Sequence, residues 1–375
     1  MKPSNRLEVY YKEELVGTLA QADYRVAFEY ADNWIKNGFS ISPFSLPLEK
    51  RVFIPTKLHF QGLFGVFADS LPDAWGNVLL NRVLRENGIS IDEIKPLTRL
   101  AIVGKSGMGA LTYEPEIKTR AEIGELDLDI LAKECQKILH SEYSVKLDEL
   151  YRLGGTSGGA RPKIMTTFDE EEWIIKFPAH VDGQNVGKME YDYSICAKEC
   201  GIDMMDTKLF TSKECEGYFG TKRFDRTLTE NGIERKHMIT AAALLEVDFN
   251  QPCLDYHALI KLTKILTRDN RKDVENMFRR MCFNVFAHNR DDHAKNFTFI
   301  YDEKKGWKLS PAYDLTYSTT YYGEHSTTVD GNGASPNEKD LLRVGQQAGL
   351  GKVKCQQMID EVYICVNDML REYIN

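Results

Sequence analysis

The chain lacks several features that would assign it a class at once. No apolar run approaches the ~20 residues that span a bilayer. The opening residues, Met1-Lys2-Pro3-Ser4-Asn5-Arg6, carry no apolar signal core. Both absences lead to the expectation of a protein that stays in the cytoplasm and off the membrane. Positive charge is also short: 48 Lys and Arg stand against 56 Asp and Glu, a net charge of −8. The molecule as a whole therefore offers no basic field to nucleic acid. No Cys-x-x-Cys pair occurs among the eight cysteines. Cys135, Cys196 and Cys282 sit on helical apolar faces and read as reduced core thiols, so neither a disulfide frame nor a structural zinc site is expected. What is present is ordinary for a globular protein: 375 residues, 42% hydrophobic and 28% charged. That length suffices for two or three domain-sized units.

The chain's densest chemistry lies in Asn289-Arg290-Asp291-Asp292-His293-Ala294-Lys295-Asn296. Arg290, Asp291 and Asn296 reproduce the R-D-x-x-x-x-N spacing of a protein-kinase catalytic loop. One carboxylate there accepts a proton from the substrate hydroxyl, and an amide oxygen a short loop away reaches Mg²⁺ on the ATP phosphates. Upstream, Val274, Met277, Phe278, Met281, Val285 and Phe286 recur at helical spacing. Downstream, 297–301 and 307–309 read as a hairpin around a polar turn. The second strand leads to Tyr313-Asp314-Leu315, where a kinase carries its second metal-binding Asp. Asp291 and Asn296 could otherwise be turn-forming residues only.

In chain order, 7–11 and 15–19 read as a hairpin, with further strands at 24–30 and 51–54. Asp69-Ser70-Leu71-Pro72-Asp73 opens a helix whose apolar face is Trp75, Val78, Leu79 and Val83, ending near Asn87-Gly88. The stretch 102–109 contains Gly104-Lys105-Ser106, but a P-loop needs Gly five residues before that Gly and Arg99 stands there. It reads as a glycine-rich turn between core strands. Composition turns polar from Ile117 to Glu125, suggesting a boundary, and 126–140 is an amphipathic helix.

Gly154-Gly155-Thr156-Ser157-Gly158-Gly159-Ala160-Arg161-Pro162-Lys163 places four glycines in six residues, which lets backbone N–H groups close on phosphate oxygens. A hairpin follows, and its second strand carries Lys176 between Ile175 and Phe177. A partly buried Lys needs an anionic partner: ATP phosphates, or Glu190 on the helix at 186–200. The bland alternative is a strand Lys that reaches solvent. The segment 218–226 reads as a strand leaving the first lobe, with a hinge that offers backbone groups to adenine. Helices are expected at 238–246, 255–266, 271–288 and 338–372. A strand-rich first half and a helical second half argue for an α+β protein of two lobes around a cleft.

The N-terminal hairpin through Leu15-Val16-Gly17-Thr18-Leu19, Leu71-Pro72-Asp73, the stretch Gly158 to Lys163, Arg223-Phe224-Asp225-Arg226, Asp292 to Phe297 and Ser310-Pro311-Ala312-Tyr313-Asp314 together carry a resemblance. The chain resembles, over nearly its whole length, the HipA-like serine/threonine kinases, toxin halves of HipA–HipB toxin–antitoxin pairs. The resemblance implies a two-lobed protein-kinase-like fold with an additional N-terminal α+β subdomain. Its divisions would be that subdomain at 1–120, the ATP-binding part of the N-lobe at 121–225 and a helical C-lobe at 226–375. It implies ATP and Mg²⁺ as cofactors, Asp291 as catalytic base, Asn296 and Asp314 as metal ligands, Lys176 as the phosphate-binding Lys with Glu190 its partner, and Lys222 to Phe224 as the hinge. The nucleotide would further meet Thr156, Ser157, Gly158, Gly159, Ala160 and Lys163. It also implies a protein substrate such as an aminoacyl-tRNA synthetase, glutamyl-tRNA synthetase being the family's best known. The implied partner is a HipB-like helix-turn-helix antitoxin, through which DNA is mainly touched. Two positions depart from the family. Thr156 stands where its phosphorylatable loop Ser is found, with Ser157 adjoining, so either is a candidate for autophosphorylation. Lys222 replaces the hinge's usual Glu.

Two other classes compete. One is a catalytically silent kinase-shaped module that holds an antitoxin. The other is a metal hydrolase built on His288, Asp291, Asp292 and His293.

Overall fold

The computed structural model describes residues 5–86, 88–90, 94–117, 126–179, 182–230, 232–320 and 322–374. Most of the polar stretch 117–125, including the boundary expected at 120/121, lies outside the described residues, as does Asn87. The chain divides into two compact units: Met1–Gly187 with Leu209–Ile239 and Ala243–Glu246, and Lys188–Lys208 with Thr240–Ala242 and Val247–Asn375.

The first unit opens on the expected hairpin. Arg6–Tyr11 pairs antiparallel with Glu14–Ala22, and Lys12 and Glu13 at the turn both take positive φ, as a two-residue hairpin loop demands. The sheet continues in the order Val52–Phe53, Arg25–Tyr30, Glu14–Ala22, Arg6–Tyr11, Leu111–Glu114. Alternate residues Leu7, Val9 and Tyr11 are buried, so one face of this sheet meets the core. The helix Ala74–Glu86 then buries Trp75, Leu79, Leu80, Val83 and Leu84. Val78, expected on that apolar face, is exposed; the stripe runs through 75, 79, 80, 83 and 84, the neighbours that 3.6-residue periodicity brings together.

A second hairpin pairs Lys163–Phe168 with Glu171–Lys176. Ile164 and Ile175 sit opposite each other in this pairing and are buried in one core cluster with Trp75, Leu150, Phe177 and Tyr218. Lys163 and Lys176, also directly opposite, therefore share the other face.

The 104–109 turn connects the helix Pro96–Val103 to the strand Leu111–Glu114 rather than two strands; the apolar run before it follows helical rather than alternating spacing. Its polarity is the reverse of a P-loop's. The carbonyls of Gly107 and Gly109 accept hydrogen bonds from the Arg226 guanidinium at 3.1 and 2.9 Å, and those of Lys105, Gly107 and Gly109 accept from Arg235. A turn that aims oxygens at cations cannot at the same time cradle a phosphate.

Arg226 belongs to a buried ionic knot. Asp225 is fully buried and accepts from Arg223 Nε and Nη2 at 2.9 and 2.8 Å, from Arg226 Nη1 at 2.7 Å and from the Gly109 N–H at 2.7 Å. Burial by itself raises its carboxyl, yet the guanidiniums of Arg223 and Arg226 hold it well below the usual carboxylate range.

In the second unit, Asn270 caps the helix Arg271–Phe286 by accepting from the Lys272 N–H. Val274, Met277, Phe278, Met281, Cys282 and Phe283 are buried there, while Val285 and Phe286 are half-buried. The hairpin Thr298–Asp302 and Gly306–Leu309 follows. Buried Arg280 donates to the Ser310 carbonyl and to Asn276 Oδ1, which fixes the chain as it leaves that hairpin. The region expected to be one helix from Met238 is a short strand, Met238–Thr240, followed by the helix Ala241–Leu245. The C-terminal helical stretch is three helices, Glu338–Gln347, Lys352–Met369 and Arg371–Ile374. Among the described residues no helix is long and apolar enough to cross a membrane.

Asp225→Asn should lower the unfolding free energy by about 3–5 kcal/mol, because it leaves buried guanidiniums short of their counter-charge. The stabilisation comes from a depressed carboxyl. It is present above the unfolded carboxylate's pKa of about 4 and is lost as pH falls toward the folded value. Urea unfolding should thus separate wild type from variant clearly at pH 7 and less as pH drops below 4. An equal gap at both pH values would show that the knot does not act through this charge.

Candidate active site

The glycine-rich loop lies in the first unit, between the helix Leu147–Gly154 and the strand that starts at Lys163. Its shape is imposed from outside. The Gly159 N–H donates to Asp73 Oδ2 at 3.1 Å, and the Gly159 carbonyl accepts from the Trp75 N–H at 3.2 Å. Gly159 has φ +88°, and a Cβ there would stand 2.6 Å from Lys163 Nζ. A side chain at 159 would be strained by the backbone conformation and would displace the Lys163 ammonium. Lys163, buried on its strand, donates through Nζ to the Gly158 carbonyl at 2.5 Å.

Both candidate loop hydroxyls are buried and bonded to backbone. Thr156 Oγ1 donates to the Ser106 carbonyl at 2.9 Å, and Ser157 Oγ donates to the Gly154 carbonyl at 2.6 Å. Neither can accept a phosphoryl group without first breaking that bond. Gly158 and Ala160 are the exposed members of the loop.

Lys176 ends its strand half-buried, with Nζ 5.6 Å from the centre of the Phe219 ring. Lys222 ends the strand Tyr218–Lys222 and pairs with Glu171 at 2.7 Å. Phe224 follows, half-buried, between the buried Arg223 and Asp225. Glu190 is buried on the helix Val186–Glu199, at a position belonging to the second unit.

The second unit carries the catalytic-loop motif, and its two adjacent aspartates have opposite surroundings. The Asp292 side chain is 0% exposed and fully engaged. Its Oδ2 accepts from Tyr256 Oη at 2.8 Å and faces His325 Nδ1 at 3.0 Å, while its Oδ1 accepts from the Thr327 N–H at 3.1 Å. The Asp292 carbonyl accepts from Thr327 Oγ1. Asp291, one residue earlier, keeps a side chain 59% exposed, with His293 Nε2 4.0 Å away. Asn296 Nδ2 donates to the Asp291 carbonyl at 2.7 Å, which leaves the amide oxygen as that side chain's remaining acceptor. The loop thus turns back on itself within one helical turn, Ala294–Asn296.

Asp314 is half-buried with φ +52°. Two tethers bring its segment to the loop. Tyr313 Oη donates to the Lys295 carbonyl at 2.5 Å, and Asn289 Nδ2 reaches the Asp314 carbonyl at 3.4 Å. A parallel bridge between Asn289 and Ser318 continues the alignment. Asn289 also donates to Asn284 Oδ1, whose own amide donates to Tyr256 Oη, so one buried polar chain links Asp314 to Asp292.

The oxygen donors Asn296 and Asp314, held on neighbouring segments, suit a hard cation such as Mg²⁺, which takes one or two protein oxygens and fills the rest with phosphate and water. By contrast, His288, Asp291, Asp292 and His293 do not converge into a metal-binding group among the described residues. The hydrolase reading fails because Asp292 is consumed internally.

Several residues here escaped sequence reading. Asp73 was visible only as a helix opener, though it holds the glycine loop. Tyr256, His325 and Thr327 lie 36, 33 and 35 residues from Asp292 and carry no local signal. Of the two aspartates, Asp292 is the one whose hydrogen bonds bear on stability. Asp292→Ala should cost about 3–5 kcal/mol, since Tyr256, His325 and Thr327 lose their shared acceptor. Asp291→Ala should stay within about 0.5 kcal/mol of wild type. Chemical denaturation of both variants checks this, and equal losses would contradict it.

Comparison with known proteins adds the family. Residues 155–369 match the model of the HipA-like C-terminal domain, and residues 7–114 match that of the HipA N-terminal domain. Y4dM of Sinorhizobium fredii, described as a candidate kinase, is 28% identical over 170 residues, 42% of this chain and 40% of that protein. The chain thus spans under half the length of that relative. A candidate kinase of Haemophilus influenzae is 22% identical over 248 residues, 56% of this chain and 72% of that protein. Among solved structures, HipA of Shewanella oneidensis, determined with HipB and operator DNA, aligns with a TM-score of 0.73 at 16% identity, covering 98% of this chain and 90% of that one. The chain belongs to the HipA-like family and has its α+β fold.

Proposed function

We propose, with membership of the HipA-like family as premise, that this chain is an ATP- and Mg²⁺-dependent serine/threonine protein kinase of the toxin type. The observation that carries the reading is the division of labour within Asp291-Asp292. Asp292 is locked in hydrogen bonds to Tyr256, His325 and Thr327. Asp291 is turned to solvent beside Asn296. A carboxylate turned to solvent, one turn from an amide oxygen able to meet a cation, suits phosphoryl transfer to a protein.

In this reading Asp291 orients the acceptor hydroxyl and takes up its proton. Asn296 and Asp314 hold the metal, and Lys163 and Lys176 place two positive charges on one face of the hairpin beside the glycine loop. By family likeness Glu190 takes the role of the acidic partner to a phosphate-binding Lys, and Lys222 to Phe224 that of the hinge that offers backbone groups to adenine. ATP with Mg²⁺, when bound, supplies the phosphoryl group and neutralises its charge. The loop residues Thr156 to Ala160 fit this use, since Gly158 is bare and exposed and Gly159 takes a φ of +88° that side chains rarely adopt.

By family likeness, an aminoacyl-tRNA synthetase is the first substrate to test. A HipB-like helix-turn-helix protein is the first partner, with DNA reached through it. Thr156 and Ser157 are the candidate sites of self-modification. Each must leave its backbone bond to be modified, and a phosphate worth about −1.5 to −2 charges would then keep the loop from refolding onto the same carbonyls.

The test is labelled ATP with Mg²⁺ and a cell extract, followed by mass spectrometry of labelled proteins and of the chain itself. Wild type should label a protein substrate and, at high ATP, Thr156 or Ser157. Asp291→Asn should reduce both by about 10²–10⁴-fold. Transfer unchanged in Asp291→Asn would refute the assigned role, and a folded wild type that labels nothing would leave the chain as a silent binding module.

A further inference from the structure

Three cysteines distant in sequence meet in the second unit. Cys196 lies on the helix Val186–Glu199, and Cys200 follows one turn later, its N–H bonded to the Cys196 carbonyl at 2.9 Å. Cys365 comes from the helix Lys352–Met369. The three Sγ atoms all lie within 4.8 Å of one another. Cys196 and Cys365 sulfurs are 3.9 Å apart, and Met369 Sδ lies 3.7 Å from Cys365 Sγ. Four sulfur atoms thus gather between two helices. Among the described residues, no other group of three His, Cys, Asp or Glu side chains converges in this way.

The spacing is informative. A disulfide would need sulfurs about 2.05 Å apart. A tetrahedral ion with metal–sulfur bonds of about 2.3 Å instead sets neighbouring thiolates about 3.8 Å apart. Cys196 and Cys365, 3.9 Å apart across the two helices, stand close to the second spacing, and all three sulfurs lie within 4.8 Å of one another. These separations arise without Cys-x-x-Cys: two thiols at i and i+4 share one helical face, and a second helix brings the third.

We propose that Cys196, Cys200 and Cys365 form a three-thiolate site for Zn²⁺. Thiolate donors select soft or borderline cations and reject Mg²⁺ and Ca²⁺. Net charge then decides between the d¹⁰ ions. Zn²⁺ with three thiolates leaves one negative charge, whereas Cu⁺ leaves two, and Cys196 and Cys200 are buried where extra charge is costly. The ion would replace the thiol protons, which leave as the metal binds. It would also tie the helix bearing Glu190 to the helix Lys352–Met369. The inference stands on this cluster alone and does not depend on the kinase reading.

The experiment uses the full chain, reduced and stripped by a chelator, titrated with Zn²⁺ alone against a chromophoric competitor and with Co²⁺ as a spectroscopic probe. One Zn²⁺ per chain is expected, with a near-ultraviolet thiolate-to-cobalt charge-transfer band and a raised melting temperature. Cys365→Ser should lose all three, while Cys253→Ser, at an exposed cysteine outside the cluster, should keep them. A second measurement needs no variant: Zn²⁺ should slow alkylation of Cys365 in wild type at least tenfold. Uptake below one-tenth of an ion per chain, equal alkylation with and without Zn²⁺, or uptake unchanged in Cys365→Ser would overturn the site. Saturation by Cu⁺ without Zn²⁺ uptake would overturn the choice of ion.

Discussion

A fully buried carboxylate sets the shape of the candidate catalytic loop. Asp292 gathers Tyr256 from one distant segment and His325 and Thr327 from another. Removing a charge from water is costly, so the site is stable only when all of these donors are in place. The loop's backbone is therefore fixed by tertiary structure rather than by its own turn propensities. Because successive side chains diverge, a locked Asp292 leaves Asp291 turned outward. Tyr256 passes the constraint on through Asn284 and Asn289 to the carbonyl of Asp314. The position of a second proposed metal ligand thus depends on the same buried network.

The first unit meets a similar problem with backbone groups. A glycine-rich loop has little shape of its own, since glycine gains most from disorder. Asp73 and Trp75 supply the shape by holding both polar groups of Gly159. The 104–109 turn is also rich in glycine, and it is clamped by Arg226 and Arg235 through its carbonyls and by Asp225 through the Gly109 N–H. In both loops the shape comes from the distant side chains that reach the backbone.

Local pattern carried much of the fold. Alternation at Leu7, Val9 and Tyr11 and helical spacing at Val274, Met277 and Met281 define elements whatever surrounds them, and these hairpins and helices stand within about three residues of expectation. The stretch after Met238 was less legible, because Met238–Thr240 is a strand too short to show alternation. Val78 misled for a similar reason: it is apolar, but off the buried stripe. Motif spacing marked out Asp291, Asn296 and Asp314. It could not separate Asp291 from Asp292, which differ only in what the rest of the chain brings to them. The roles of Asp73 and the meeting of Cys196, Cys200 and Cys365 were hidden for the same reason, since each is a contact between residues far apart in sequence.

The proposed pairing of Asn296 and Asp314 around Mg²⁺ on a nucleotide can be read by calorimetric titration of the folded chain with ATP, with and without Mg²⁺. Binding that Mg²⁺ strengthens is expected in wild type, and loss of that Mg²⁺ dependence in Asp314→Ala. No ATP binding by folded wild type in the presence of Mg²⁺, or an unaltered Mg²⁺ dependence in Asp314→Ala, would contradict it.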